Sequence, residues 1–292
     1  MKSFLVGMMS SGEHERAASI ASLRAQSVTD WDLFEVENLP NKEAHDTLYT
    51  TFMSSAGAYR HFLKLDADMV FRDERGLAAL LDLFRVENRD LVMTEVHDWA
   101  SDMLTPGLLA FSNRVRWNIN PDRLLVDHAP IFPGEGHRVW GPPAPLVLHS
   151  PDPSPFQAFR YGLHRILKAA QPDRRDKDLR RAVLHWSLIK NIWRAHQRHG
   201  DERRLCALLG AEALLSDLCD RAQVLESYSG EYVRNLFGQL VPDPPEKALD
   251  QISGLWAHES ANDSRWLTLY LAAPWVERPT LADIDRRSRL GG

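Results

Sequence analysis

The chain lacks the features that mark several protein classes. Only two of its 292 residues are cysteine, Cys206 and Cys219. Both fall in a leucine-rich helical pattern, which suits small buried side chains and leaves no disulfide framework to build. Reduced thiols and a cytoplasmic setting are therefore expected. No apolar run approaches the roughly 20 residues that span a bilayer. The opening Met1-Lys2-Ser3-Phe4-Leu5-Val6-Gly7-Met8-Met9 turns polar too soon for a signal peptide. Any membrane contact is expected to be peripheral, at the inner face. Nor is there an excess of basic charge. Thirty-five lysines and arginines stand against 40 acids, a formal net charge of -5, which argues against a general nucleic-acid binder. There is no repeat of fixed period and no low-complexity tract. What is present is an ordinary globular composition, 44% hydrophobic and 26% charged. That is enough for a sizeable core in one large or two modest domains.

The hydrophobic pattern begins as an alternation. Phe4 to Met9 reads as a buried strand and Glu13 to Gln26 as a helix with Ala17, Ile20, Ala21 and Leu23 inward. Trp31 to Val36 is a second strand, and Asn41 is placed to cap a helix running through Leu48, Phe52 and Met53 to Gly57. Phe62 to Phe71 is a third strand, Gly76 to Val86 a helix and Asp90 to Val96 a strand. This order predicts an α/β fold, a mostly parallel sheet with helices on both faces and ligands beyond the carboxyl ends of the strands. From about Thr105 to Pro155 the pattern breaks into short strands and loops. The proline-rich Gly141-Pro142-Pro143-Ala144-Pro145 leads there to Leu146-Val147-Leu148-His149. Beyond it the spacing is helical over Phe156 to Ala170, Leu179 to His199, Leu205 to Leu225 and Tyr232 to Leu240. The expected division is a ligand-binding region over 1–155 and a mainly helical region over 156–292.

The third strand carries the strongest chemical signal. Phe62-Leu63-Lys64-Leu65-Asp66-Ala67-Asp68-Met69-Val70-Phe71 places two carboxylates in an apolar run. Desolvating them is costly unless a cation or an open cleft offsets it. Residues i and i+2 of a strand share a face, so Asp66 and Asp68 are expected to point together. Two hard oxygen donors suit Mg²⁺ or Mn²⁺, ions that keep several waters and also bind substrate phosphates. The same pair could instead start a turn, since Arg72-Asp73-Glu74 continues as a polar turn.

With an Asp-Xaa-Asp ending the third strand of a strand–helix alternation, residues 1–155 resemble the nucleotide-sugar-dependent glycosyltransferases of the GT-A fold, particularly family 2. The resemblance implies a Rossmann-like GT-A domain in which Asp68 binds Mn²⁺ or Mg²⁺ against the donor diphosphate and Asp66 reaches the metal or the ribose. Phe111-Ser112-Asn113-Arg114, Val126-Asp127-His128, Gly136-His137-Arg138-Val139 and Leu146-Val147-Leu148-His149 follow the family order. By that resemblance Asp127 is the general base of an inverting transfer and His149 completes the metal shell. An ordinary loop role for Asp127 stays open, with Glu135, Asp98 and Asp102 as substitutes. Glu37 occupies the family's nucleobase position, although the usual Asp-Asp-Gly-Ser pattern is absent. Ser10, in Ser10-Ser11-Gly12, would line the nucleoside end, and Lys42 at a helix start could meet phosphate.

The implied function is metal-assisted transfer of a sugar from a nucleotide-diphosphate donor, expected to be uridine-linked, to a hydroxyl of a glycan or glycolipid acceptor. One alternative is a sugar-nucleotide nucleotidyltransferase, although Ser10-Ser11-Gly12-Glu13 is not the glycine-rich basic loop that activity favours. Another is a catalytically inactive binding scaffold. The helical region would shape the acceptor side or a homo-oligomer contact. Its mixed-charge clusters, Arg174 to Arg181 and Arg198 to Arg204, suit a solvated helix face or a basic surface for an anionic lipid. Trp186, Ile189 and Trp193 form one stripe, expected in the core.

Overall fold

The computed structural model describes residues 1–85, 89–122, 126–133, 137–140, 144–172, 177–226, 230–242, 245–259 and 264–271; for 137–140, 226, 259 and 264 only the backbone is described. Its first half is an α/β layer. Strand β1 (Lys2–Ser10) pairs in parallel with β2 (Trp31–Glu37) and β3 (Tyr59–Asp66). Helix α1 (Arg16–Arg24) joins the first two strands and α2 (Asn41–Ser54) leads to the third. Then come β4 (Met69–Phe71), α3 (Gly76–Phe84), β5 (Arg89–Asp98) and β6 (Met103–Ser112). A separate hairpin forms from β7 (Arg116–Asn118) and β8 (Ala129–Ile131), before β9 (His137–Trp140) and β10 (Val147–His149). The main sheet has eight strands in the order β2-β1-β3-β6-β5-β10-β4, with β9 also on β5. Strands β1, β2, β3, β5, β9 and β10 run one way; β4 and β6 run the other.

Alternation along the strands fills both faces. Phe4, Val6, Met8, Leu63 and Leu65 pack with Leu23, Leu77 and Leu80 of α1 and α3. Leu5, Phe62, Leu91 and Phe111 pack with Leu48, Tyr49 and Phe52 of α2 and with Trp117.

Three expectations about this half are corrected. The decapeptide Phe62 to Phe71 is not one strand: β3 ends at Asp66, the chain turns, and β4 pairs with β10, which puts β4 four places from β3 in the sheet. Three residues reach at most about 11 Å, whereas four flat strand spacings would be about 19 Å. The sheet must therefore curl, bringing the end of β10 round toward the end of β3. The region after residue 105 is also more regular than its sequence suggests, because β6 is a ten-residue strand at the centre of the sheet. In the fold, Pro106 lies opposite Glu95 beside a register shift in β5, where its missing N–H is tolerated. Asn41 is the first residue of α2 rather than its cap, a position held by Pro40.

The second half is helical: α4 (Pro155–Ala170), α5 (Leu179–His199), α6 (Glu202–Leu215), α7 (Arg221–Glu226), α8 (Glu231–Leu240), α9 (Glu246–Glu259) and α10 (Ser264–Leu271). Ser154 caps α4 through Gln157 N and Asp178 caps α5 through Arg181 N. The expected helix over 205–225 is two helices, broken where Asp217 turns left-handed with φ 58°. Trp186, Ile189 and Trp193 are core, and Trp186 meets Trp256 and Trp266 with ring centroids 6.1 Å apart in each case. Cys206 and Cys219 are free thiols. No helix among the described residues is long and apolar enough to cross a membrane.

Helices α4 and α6 cross at backbone contact. A Cβ on Gly162 would stand 1.7 Å from Ala207 O, and one on Gly210 would stand 2.0 Å from Phe159 O. Backbone cannot swing aside as a side chain can, so Gly162→Ala or Gly210→Ala should lower stability by about 1–3 kcal/mol. Gly238, in α8 with open space around it, is the control: Gly238→Ala should leave stability unchanged or raise it by about 0.5–1 kcal/mol. Thermal melts of the three variants decide the matter, and equal melting points for all three would refute the close crossing.

Candidate active site

Because six strands run one way, their carboxyl ends form one rim, where Ser10, Asp66, Asp98 and His149 end β1, β3, β5 and β10. The curl of the sheet and the face of α4 enclose a cleft there of about 960 Å³. Ser10, Asp66, Asp68, Asp127 and His149 all line it. The sequence scatters these five residues over 140 positions, and the fold collects them.

His149 is held between two carboxylates. Its Nδ1 lies 2.7 Å from Asp98 Oδ1, and its Nε2 lies 3.4 Å from Asp68 Oδ2. Asp98 is fully buried and also accepts from Ser101 N at 3.0 Å and Tyr161 OH at 2.8 Å. Burial alone would depress the imidazole, but Asp68 and Asp98 outweigh it and lift His149 to about 9. Burial alone would likewise raise Asp98, but His149 first and then Arg165 hold it below the usual carboxylate range. Ser150, left-handed at φ 48°, donates from Oγ to Asp68 Oδ2 at 2.6 Å and from N to Asp68 O at 2.7 Å. A non-glycine residue in that conformation is strained, and here the strain fixes the carboxylate beside the histidine.

Asp66 sits apart from this pair. Phe62, Lys64 and Asp66 alternate toward the α2 face, whereas Ala67 is buried with the opposite cluster. Asp66 Oδ1 is buried and makes no hydrogen bond. Among the described residues no three His, Cys, Asp or Glu side chains converge on one ion. Asp66, Asp68 and His149 thus line one cleft without forming the single metal shell expected from the motif, because the turn at Ala67 carries Asp68 to the end of β10.

Asp127 belongs to a second charged centre. Lys64 Nζ donates to its Oδ1 at 2.8 Å, Tyr49 OH donates to the same oxygen at 3.0 Å, and His45 Nε2 stands 3.5 Å away. Burial would raise this carboxyl, but Lys64 and then His45 hold it well below the usual range. Lys64 itself, buried among Asp127, Asp66 and Tyr49, is held above the ordinary range by those partners despite its burial. Lys64 was legible in the decapeptide, two residues before Asp66 on the same strand face.

Other expected site residues are engaged elsewhere. Glu37 pairs with Arg16, Lys42 pairs with Asp46 at 2.5 Å, and neither lines the cleft. Each has met an opposite charge on its own surface. Asp102 is tied to His97, Arg198 and His199 outside the cleft. Glu135 lies outside the described residues, and of Gly136-His137-Arg138-Val139 only the backbone of β9 is described. The sequence reading missed a row of side chains on α4. Arg160, His164, Arg165 and Lys168, at helical spacing opposite the leucines, all line the cleft. Arg160 is committed to the loop after β1, donating to Ser11 Oγ at 2.7 Å.

No known protein family matches the chain, and no curated protein matches it in sequence. Among solved structures it is similar to a mannosyltransferase, PcManGT from Pyrobaculum calidifontis, in complex with GDP-Man and Mn2+. The identity is 14%, the match covers 92% of this chain and 87% of that one, and the TM-score is 0.40.

The Lys64–Asp127 pair makes a pH prediction. A carboxyl held below the ordinary 3.8 contributes stability that is complete above that value and lost as pH falls through the folded one. Lys64→Met should raise the Asp127 carboxyl toward 3.8 in an NMR titration and remove that increment from the acid limb of the stability curve. An unchanged titration would show that Lys64 is not its counter-ion.

Proposed function

We propose that the chain is a glycosyltransferase that uses a nucleotide-diphosphate sugar and a divalent cation. The observation that carries this reading is the Asp98–His149–Asp68 arrangement at the carboxyl rim, beside an unpartnered Asp66 oxygen in the same cleft. A histidine fixed through Nδ1 by a buried carboxylate, with Nε2 aimed at a second carboxylate, is a common way to orient a metal ligand. Mg²⁺ and Mn²⁺ often take only one or two protein carboxylates and leave the remaining positions to phosphate and water. The donor set fits: Asp68 and His149 would hold the ion, with Asp66 toward it or toward the ribose. When bound, such an ion stabilises the negative charge that grows on the departing diphosphate.

The protein's own side chains do the rest. Asp98 fixes the histidine, and Tyr161 and Ser101 fix Asp98. Ser10 and Ser11, held by Glu13 and Arg160, present a small-residue loop at the nucleoside end. Asp127 faces the cleft as an ionised carboxylate and is assigned to take the proton of the acceptor hydroxyl. Lys64 keeps it ionised at the expense of basicity. Attack from the side opposite the leaving diphosphate inverts the anomeric carbon.

Calorimetry with uridine and guanosine diphosphates tests the reading. Binding should require Mn²⁺ or Mg²⁺, and Asp68→Ala should abolish the metal dependence and weaken binding at least about tenfold. Asp127→Asn should leave binding intact and slow transfer by about 10²–10⁴. Tight nucleotide binding without metal would remove the assigned aspartate, and no nucleotide binding under any condition would favour a scaffold.

A further inference from the structure

The cleft has a cationic wall that the donor site leaves unused. On α4, Arg165 stacks over the Tyr161 ring at 4.4 Å and lies 3.4 Å from His185 Nδ1 of α5, while its Nε makes no hydrogen bond. One turn further along, Lys168 carries no hydrogen bond or ion pair among the described residues. Burial first, then Arg165, brings its ammonium down to about 8. His164 and His185 are neutral, depressed by burial and then by these cations. Arg181 of α5 also lines the cleft, and among the described residues its ion pair is with its own capping residue Asp178, at 3.4 Å. Asp98 and Asp68 attract Arg165, and Asp127 and Asp66 attract Lys168, but none comes within ion-pair distance among the described residues, and two neighbouring cations in a partly buried cleft disfavour each other until an anion arrives.

An apolar lip adjoins the wall. Leu179, Val183 and Leu184 are 53%, 45% and 50% exposed at the start of α5, and Leu184 lines the cleft itself. Across from them Met103 and Leu104 open β6, also well exposed. Met103 Sδ meets Asn191, two turns along α5 from Leu184. Thr105, the next residue of β6, lines the cleft. Branched and sulfur-bearing side chains are thus left in water at the mouth of a cleft whose α4 wall is cationic.

We infer that the acceptor is an amphiphile with a phosphate head. The head sits on Arg165, Lys168 and Arg181, and the apolar chain lies over Leu179, Val183, Leu184, Met103 and Leu104. The assignment rests on the glycosyltransferase reading, since it places this molecule across the cleft from the donor. Charge and shape both favour it. A phosphate monoester carries about −1.5 to −2 charge at neutral pH, which suits two adjacent cations. A plain sugar acceptor uses neither the cations nor the lip.

The test is calorimetry on the full chain, below micelle-forming concentrations, with dodecyl phosphate, inorganic phosphate and dodecyl maltoside. Dodecyl phosphate should bind at least about tenfold more tightly than either of the others, because each of them lacks one half of the recognition. Lys168→Gln should weaken dodecyl phosphate about tenfold. Leu184→Ser, an exposed substitution, should weaken dodecyl phosphate while leaving inorganic phosphate unchanged. Equal binding of inorganic phosphate would overturn the chain's role, and equal binding of dodecyl maltoside would overturn the head's. Nucleoside diphosphate binding with Mn²⁺, measured on the same variants, should not change. If the amphiphile binds as described and the nucleotide does not, the lipid-phosphate site stands and the transferase assignment falls; the reverse result refutes the amphiphile alone.

Discussion

Asp98 carries a charge with no access to water at the end of β5, and it can do so because His149 Nδ1, Ser101 N, Ser101 Oγ and Tyr161 OH converge on it. A buried carboxylate without such donors would cost several kcal/mol. Its partners come from β10, from the turn after β5 and from α4, so one side chain ties the sheet to the helical half. The orientation of His149, and through it the position of Asp68, depends on that knot. Pairing with β5 alone does not fix β10 at the rim, since β10 is three residues long and meets β5 only at Leu148 and His149.

The cleft separates its charges by element. Carboxylates come from strand ends, where the backbone turns and side chains reach the rim. Cations come from one face of α4, where a 3.6-residue period lines them up, and from Arg181 in the first turn of α5. Lys64 crosses the division, and it is consequently the most constrained of the cations, enclosed by Asp127, Tyr49 and Asp66. An apolar core on each side of the sheet keeps these groups from relaxing toward solvent.

Much of this was readable in advance. The strand–helix alternation, the buried Cys206 thiol, the tryptophan stripe and the bounds of α4 and α5 follow from periodicity and capping signals that act over a few residues; Cys219, expected on a helix, is half-buried in the turn before α7. The gathering of Asp66, Asp68, Asp127 and His149 was legible as a motif order, although their grouping within the cleft was not. What escaped depends on contacts distant in sequence. The curl that parts Asp68 from Asp66 is set by β4 pairing with β10, some 80 residues away. The centrality of β6 was masked because the pattern breaks from about Thr105, and its place is set by pairing with β3 on one side and β5 on the other. Glu37 found its counter-ion, Arg16, 21 residues away, whereas Lys42 pairs with Asp46 one turn along α2, a spacing the sequence already carried. The α4 cations were visible as letters, but their direction was set by α6 behind them.

The Gly162–Gly210 crossing therefore has a reach beyond packing. Since α4 presses its spine against α6 and its charges into the recess, the helix behaves as a shaft whose rotation sets where Arg165 and Lys168 stand relative to β10. Residues on the far side of that shaft, such as Ala207 and Ala211, touch nothing in the cleft, yet a change of one methyl group there would re-aim the cations. Selectivity for a ligand can in this way drift through substitutions in the hydrophobic bundle, leaving every residue of the pocket unaltered.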